Sequence, residues 1–152
     1  MSIQGLERLV VWKRAKEFVI MIYKEILPLL PQEEKWAMNH QLRRSAQSIP
    51  ANIAEGYGRY YYQETIHFCY IARGSLEETL SHLSLAYELE YIPKSLFERI
   101  EQASEDITRL LNGYIAYLKK SKRGENEPGA SLSINEPSEV YDLNIANENE
   151  SN

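Results

Sequence analysis

The stretch RRSAQSIPANIAEGYGRYYYQE, residues 43–64, decides the fold and poses the question of function. Apolar residues recur here at three- and four-residue spacing, which predicts a helix with one buried side. Pro50 lies inside this helix, where it removes a backbone hydrogen bond and predicts a kink. Gly56 is placed as the C-terminal cap. The predicted buried side consists of Leu42, Ala46, Ile49 and Ile53.

A second stripe, made of polar and mostly small side chains, runs along the same helix beside the apolar one. A later helical segment, IARGSLEE, carries Gly74 and Ser75 in its middle, where glycine costs about 1 kcal/mol relative to alanine. Small polar residues allow close helix contacts and can hydrogen-bond backbone carbonyls. Two interpretations fit: a tight crossing of helices within the chain, or an interface between subunits. The residues predicted for this contact are Gln41, Ser45, Ser48, Asn52, Glu55, Gly74 and Ser75.

Three further segments show helical periodicity on either side of this stretch. A first helix of about 20 residues ends at Pro31, and Pro28 loosens its last turn. A third helix extends to the break EYIPKS, and a fourth follows it. Short connections between long helices force antiparallel neighbours, so the predicted fold is an all-α, antiparallel up-and-down four-helix bundle. The stripe of the fourth helix is the most regular: Leu96, Ile100, Ala103, Ile107, Leu110, Tyr114 and Leu118.

Charge divides the chain of 152 residues into two unlike parts. Residues 1–123 contain all 17 Lys and Arg against 15 Asp and Glu, whereas residues 124–152 contain 7 acids and no basic residue. The second part is rich in Glu, Asn, Ser and Pro, and it has too little apolar surface to offset the entropy of ordering it. The sequence therefore predicts a bundle domain over residues 1–123 and a disordered acidic tail over residues 124–152.

The composition fits one ordinary soluble domain, with 43% apolar and 26% charged residues. No stretch approaches the roughly 18 apolar residues of a membrane helix, and charges interrupt the N-terminal segment that a secretion signal would occupy. We therefore expect a cytoplasmic protein without a membrane partner. The single cysteine, Cys69, lies among apolar neighbours and is interpreted as a small buried side chain.

Residues that could carry catalysis are sparse. His40, His67 and His82 are not at the four-residue helical spacing of a two-histidine metal site. Seven residues separate Arg59 from His67, which departs from the shorter spacing of small helical ribonucleases. The glycines of EGYGR do not follow a predicted strand, which argues against a phosphate-binding loop. We therefore predict a non-catalytic protein with no metal and no cofactor.

Basic residues cluster near the ends of two predicted helices, which favours nucleic-acid binding. The four tyrosines of GYGRYYYQE have faces on which unpaired bases can stack. A net charge of +2 over residues 1–123 gives one subunit a weak field, and ring assembly would multiply it. For the cluster at the end of the fourth helix, a solvated helix C-terminus is an alternative at least as well supported as nucleic-acid binding. The predicted nucleic-acid contacts are Arg43, Arg44, Arg59, Lys119, Lys120, Lys122 and Arg123.

Four motifs stand in an order typical of a known family: VWKRAKEFVIMIYKE, QLRRSAQSIPANIAEGYGR, ARGSLEE and LEYI. Over about residues 6–120 the chain resembles the four-helix-bundle proteins of ribosomal-RNA intervening sequences. The resemblance implies an antiparallel four-helix bundle and assembly as a ring-like homopentamer. A related group, the accessory proteins of diversity-generating retroelements, binds RNA and a reverse transcriptase through a basic ring, and this chemistry reaches the present chain only by analogy.

Two functions follow as expectations. The first is a non-catalytic homo-oligomer that binds nucleic acid, with structured RNA as the expected ligand and an inserted or mobile genetic element as its context. The second is a homo-oligomeric scaffold that binds a partner protein, such as a reverse transcriptase, without contacting nucleic acid. A titration with structured RNA at low salt separates the two, because only the first predicts binding.

Overall fold

The structure, a computed structural model, describes residues 3–126, and within that range the chain is helical and contains no strand. The first helix is short and has no buried residue, so it adds little to the core. The four helices that follow form the bundle. Their bounds, with that of the short helix, are α1 (Ile3–Glu7), α2 (Val10–Met21), α3 (Met38–Gly58), α4 (Tyr62–Glu88) and α5 (Lys94–Ser121).

The long helices form a closed ring of neighbours. Helix α2 contacts α3 and α5, and α4 contacts the same two helices on the other side. The connections from α3 to α4 (residues 59–61) and from α4 to α5 (residues 89–93) are short, and residues 22–37 lead from α2 back along the bundle to α3, so successive helices run in opposite directions. The predicted antiparallel four-helix bundle is confirmed. We call the end where α2 leads into α3 and α4 leads into α5 the upper end, and the opposite end, where α3 leads into α4, the lower end.

Burial confirms the predicted core stripe of α3. Its four apolar residues are fully buried. In α5 the buried side is wider than the sequence predicts, since Ser104, Leu111 and Ile115 are buried while Leu110 and Tyr114 are only half-buried. Helix α5 packs against both α2 and α4, and a helix with two neighbours buries a broader sector of its surface.

The first predicted helix departs from a single α-helix up to Pro31. The α-helix ends at Met21, a π-helical turn covers Ile22–Ile26, and a 3-10 turn covers Leu27–Leu29. The Leu27 N–H donates to the carbonyl of Ile22, five residues back, which is the π-helical bond. Pro28 has no N–H to continue an α-helix. One consequence is that Leu29, which continues the apolar spacing, is exposed.

Gly56 does not cap α3, because the helix continues through it to Gly58. A Cβ at Gly56 would lie 2.9 Å from the Cβ of Phe68 and 3.0 Å from the carbonyl oxygen of Thr65. The glycine is therefore needed for the close approach of α3 and α4 near the lower end. The prediction was wrong because a glycine near a helix end fits a C-terminal cap and a close contact between helices equally well.

The predicted kink at Pro50 stays a prediction, although Pro50 does lie inside an uninterrupted α3. The acidic tail falls mostly outside the described residues, which end at Asn126. Within residues 3–126, no helix combines the length and apolarity needed to cross a membrane.

Candidate nucleic-acid interface

The predicted basic contacts do not form one surface. Arg43 and Arg44 lie near the upper end of α3, whereas Arg59 follows the lower end of that helix and the cations after Leu118 end α5. Fourteen residues of α-helix lie between Arg44 and Arg59, which corresponds to about 21 Å along the axis. The two groups must therefore be judged separately.

At the lower end, Arg123 closes the turn between α3 and α4. Its Nε donates to the carbonyl oxygen of Tyr60 at 3.1 Å, and Nη2 donates to that of Arg59 at 2.9 Å. The Tyr62 N–H donates in return to the Arg123 carbonyl at 2.9 Å. Carbonyls at a helix C-terminus lack partners within the helix, and a guanidinium satisfies them well. These bonds account for Arg123 without an RNA contact.

Other lower-end cations are paired with carboxylates. Arg59 lies 2.9 Å from Glu55 and 3.9 Å from Glu64, and Lys122 lies 3.6 Å from Glu125. Lys119 is half-buried and Lys120 is exposed. Each pair lowers the net positive charge that a phosphate would meet at this end.

At the upper end the two neighbouring arginines differ. Arg44 forms an ion pair with Glu78 of α4 and also donates to Gln41. Arg43 donates from Nε to the Asn39 Oδ1 at 2.8 Å, and its guanidinium lies 5.4 Å from the ring centroid of Tyr23. No carboxylate of the described chain pairs with Arg43.

A groove of about 400 Å³ lies beside Arg43, between the end of α2 and the start of α3. Cations and apolar side chains line it, and none of the lining residues is acidic. We call it the Trp36 groove. Its principal members are Leu27, Leu30, Lys35, Trp36, His40 and Arg43.

The sequence analysis missed Trp36, which is 82% exposed. The Lys35 Nζ lies 5.0 Å from the centroid of its ring. A signal was present in the sequence, because the segment EEKWAMNH places a tryptophan among charges, outside both stripes of α3. A large aromatic residue that no core pattern explains is a candidate contact for a ligand or a partner.

A second groove at the upper end has the opposite charge. It is lined by Tyr87, Glu88, Glu90 and Tyr91 at the end of α4, together with Leu29. No lysine or arginine lines this groove within the described chain. We call it the acidic groove. Its carboxylates disfavour phosphate, so the two upper-end grooves suit different ligands.

Much of the predicted contact stripe lies in the crossing of α3 and α4 within the chain. Ser45 is fully buried, and its hydroxyl lies 2.9 Å from that of Thr79 on α4. The hydroxyls of Ser48 and Ser75 are 2.8 Å apart, and the Asn52 amide donates to Ser48 at 2.9 Å. For these side chains the geometry supports the intrachain interpretation, and Ser45 has no surface left for a second subunit.

The remaining members of the stripe face outward. Gln41 accepts hydrogen bonds from Arg44, and Glu55 pairs with Arg59. Gly74 is exposed, and a Cβ placed on it would meet no atom within 4 Å. Packing inside the chain therefore does not require glycine at position 74. A subunit interface at these residues stays a prediction.

The tyrosines of the α3–α4 turn are unequal. Tyr60 is 60% exposed, whereas Tyr61 and Tyr62 are half-buried and meet edge to face, with ring centroids 5.1 Å apart. A Cβ at Gly124, whose φ is +80°, would lie 3.0 Å from the Tyr60 ring. Tyr60 is thus the member of this group most accessible to a base, and it packs on the same turn that Arg123 closes.

Titratable groups give little support for catalysis. Burial raises the pKa of the Cys69 thiol to about 12, although Arg73 lowers it in part, so the thiol is protonated at neutral pH. Burial likewise raises the pKa of Tyr114 to about 12. No group of three or more His, Cys, Asp or Glu side chains among residues 3–126 is placed to hold a metal ion.

Comparison with known proteins identifies relatives. The family model of the 23S rRNA-intervening sequence protein matches residues 7–113. A similar solved structure is that of a protein with unknown function from the S23 ribosomal protein family of Bacteroides thetaiotaomicron VPI-5482. That protein is 32% identical, the match covers 69% of this chain and 97% of the other, and the TM-score is 0.63.

No curated protein matches the chain. Neither of the two matches described above names a diversity-generating retroelement, so that relation stays a prediction. The resemblance seen in the sequence motifs is confirmed by a family match that covers most of the bundle. The chain therefore belongs to the family of 23S rRNA-intervening sequence proteins.

Proposed function

We propose that this chain is a non-catalytic RNA-binding protein that acts as a homo-oligomer. The observation that carries the proposal is the environment of Arg43, an exposed guanidinium without a carboxylate partner in the described chain, beside a groove without acidic lining. A cation of this kind can bind a phosphate without first breaking an ion pair. The description of the family, which refers to 23S rRNA, agrees with RNA as the ligand.

The upper end carries this proposal better than the lower end does. Arg59 and Lys122 already have carboxylate partners, and Arg123 is bonded to backbone carbonyls. An RNA phosphate at the lower end would therefore compete with existing partners. We assign the main phosphate contact to Arg43, with Lys120 as a secondary contact.

Assembly into an oligomer supports binding by placing several copies of a weak site on one particle. The outer surfaces of α4 and α5 favour assembly, because Ile71 and Tyr117 are 39% and 64% exposed. Gly74 and Gly113 lie on the same two helices, and a Cβ placed on either glycine would meet no atom within 4 Å. The resemblance to the family suggests five copies. Light scattering at micromolar concentration tests this part of the proposal, and the mass of a single chain would contradict it.

RNA binding is tested by titrating a fluorescently labelled, structured RNA with the full-length protein at about 50 and 200 mM salt. We expect binding at the lower salt concentration and weaker binding at the higher one, because phosphate contacts release counterions. An uncharged polymer of similar size serves as the control for non-specific effects. Absence of binding at the lower salt concentration would overturn the proposal.

A scaffold for a partner protein is the second candidate, and the acidic groove favours it. This groove combines the carboxylates of Glu88 and Glu90 with the tyrosine and leucine side chains of its lining. Such a lining suits a basic, partly apolar segment of another protein. If the RNA titration shows no binding, a scaffold for a partner protein becomes the better supported function.

A further inference from the structure

We infer that the Trp36 groove binds an unpaired RNA base stacked on Trp36, with a neighbouring phosphate held by Arg43. This inference rests on the proposed function and adds the class of RNA, which is single-stranded. It also assigns a role to a residue that lies outside every motif of the sequence analysis. The argument depends on the aromatic side chain, the cation and the charge of the lining.

Trp36 is the most exposed of the large apolar residues in the described chain. Tryptophan is on average highly buried, so an exposed tryptophan that lines a groove is a candidate contact for a ligand. The Lys35 ammonium lies over one face of the ring, at 5.0 Å from the centroid. With 82% of the residue exposed, most of the remaining ring surface is accessible to a base.

The Arg43 side chain is held in place by its neighbours, while its terminal nitrogens stay available to a ligand. Its Nε donates to Asn39, and its guanidinium packs at 5.4 Å from the Tyr23 ring centroid. Its two terminal nitrogens make no hydrogen bond within residues 3–126. The planar fork of a guanidinium matches two oxygens of a phosphate, and an anchored side chain loses less conformational entropy on binding.

The lining has the charge that an RNA strand requires. Lys35 and Arg43 supply positive charge to the lining, and none of the lining residues is acidic. Glu33 and Glu34 lie in the 3-10 turn beside the groove, and the Glu34 carboxylate accepts hydrogen bonds from the Met38 N–H at 3.1 Å and the Tyr91 hydroxyl at 3.2 Å. These bonds hold the Glu34 carboxylate at the Met38 N–H and the Tyr91 hydroxyl, and neither Glu33 nor Glu34 lines the groove.

The size of the groove and its polar lining fit one nucleotide. Its volume of about 400 Å³ lies in the range of sites for small ligands. Gln32 and Asn39 supply amides that can bond the edge of a base. In a duplex the bases stack on one another, so a base can reach Trp36 only from a single strand, a loop or a bulge.

The test compares full-length wild type with Trp36→Ala and Trp36→Phe. The probes are a labelled oligouridylate of about 12 nucleotides and a blunt RNA duplex of similar length. Trp36→Ala should weaken binding of the oligouridylate by about 5- to 150-fold, the range of one base–aromatic stack. Trp36→Phe should retain most of the affinity, and duplex binding should change less than about twofold.

Tryptophan fluorescence gives an independent readout, because the chain has only two tryptophans and Trp12 is buried. Oligouridylate should quench the emission of wild type and leave that of Trp36→Phe nearly unchanged. Thermal melting checks that the variants fold. We expect that they do, because Trp36 is exposed and substitutions of exposed residues change stability little.

The outcomes separate this inference from the proposed function. If wild type binds RNA and Trp36→Ala binds the oligouridylate equally well, the inference is overturned while RNA binding stands. If wild type binds the duplex or the structured RNA but not the oligouridylate, the inference is overturned while RNA binding stands. If it binds none of these three RNAs, both are overturned. If Trp36→Ala lowers the oligomeric mass in light scattering, Trp36 is a subunit contact, and the inference is overturned in favour of an interface.

Discussion

Arg43 at the upper end and Arg123 at the lower end attract attention in the sequence for the same reason, since each belongs to a short basic run. The fold uses them differently. Arg123 bonds two backbone carbonyls and closes a turn, whereas Arg43 bonds one side-chain amide and keeps its terminal nitrogens unbonded within the described chain. Local acceptors, and not the density of positive charge, decide whether an arginine is available to a ligand.

The difference follows from the direction of α3. Its C-terminus lies at the lower end, where the carbonyls of Arg59 and Tyr60, just past the last helical residue, accept bonds from the Arg123 guanidinium. Its N-terminus lies at the upper end, where the unpaired groups are N–H donors that a cation cannot use. An arginine near a helix start must therefore find a side chain, a ring or an external anion.

The largest expected effect concerns the core that both ends share. Ile53→Ala removes a fully buried side chain and should lower the free energy of unfolding by about 2–5 kcal/mol. Pro50→Ala is the control on the same helix and should leave the bundle folded. Urea denaturation measures both. Equal stabilities would show that the core stripe of α3 is misplaced.

The next effect separates the two arginines by stability. Arg123→Ala removes both carbonyl contacts at the α3–α4 turn and should cost about 1–3 kcal/mol. Arg43→Ala should change stability by no more than about 0.5 kcal/mol, because the side chain is exposed and no buried group depends on it. Thermal melts of both variants and wild type measure this difference in stability. Equal melting temperatures for the two variants would contradict the structural role of Arg123.

The smallest effect concerns the acidic tail. Residues 127–152, which lie outside the described residues, contain six Asp and Glu and no Lys or Arg. If their charges cover Lys119 and Lys120 at the lower end, their deletion should tighten RNA binding at low salt and steepen its salt dependence. The ratio of affinities at about 50 and 200 mM salt should grow by about 2.6- to 3.5-fold for each lysine uncovered.

Glu125 stays in the shortened protein because it pairs with Lys122. Identical binding curves for the full-length and shortened proteins would mean that the tail masks no cation. In that case the lower end would remain a weak binder for the reason seen in the described residues, which is internal pairing.

The bundle could be predicted from the sequence because helical periodicity reports burial directly. Leu42, Ala46, Ile49 and Ile53 recur at one spacing and are all fully buried. The π-helical turn at Ile22–Ile26 could not be predicted in this way, because it depends on the Leu27 N–H donating to the carbonyl of Ile22, five residues back, instead of the one four residues back. Gly56 was misread because a cap and a close helix contact both select glycine.

The candidate site was harder to predict, because pairing depends on three-dimensional neighbours. Arg43 and Arg44 are adjacent and look equivalent, yet Glu78 reaches only Arg44. That contact joins residues on different helices, and charge counting along the chain does not reveal it. Trp36 escaped because the search followed stripes and motifs, and this residue belongs to neither.

The claim that Arg43 binds RNA while Arg123 supports the fold is tested most directly by the RNA affinities of Arg43→Ala and Arg123→Ala. Both are measured with the structured RNA at about 50 and 200 mM salt, at a temperature where both proteins are folded. We predict that Arg43→Ala weakens binding and lowers the salt slope by about 0.7 to 0.9, while Arg123→Ala retains the wild-type affinity. Loss of affinity in Arg123→Ala with wild-type binding by Arg43→Ala would contradict the account.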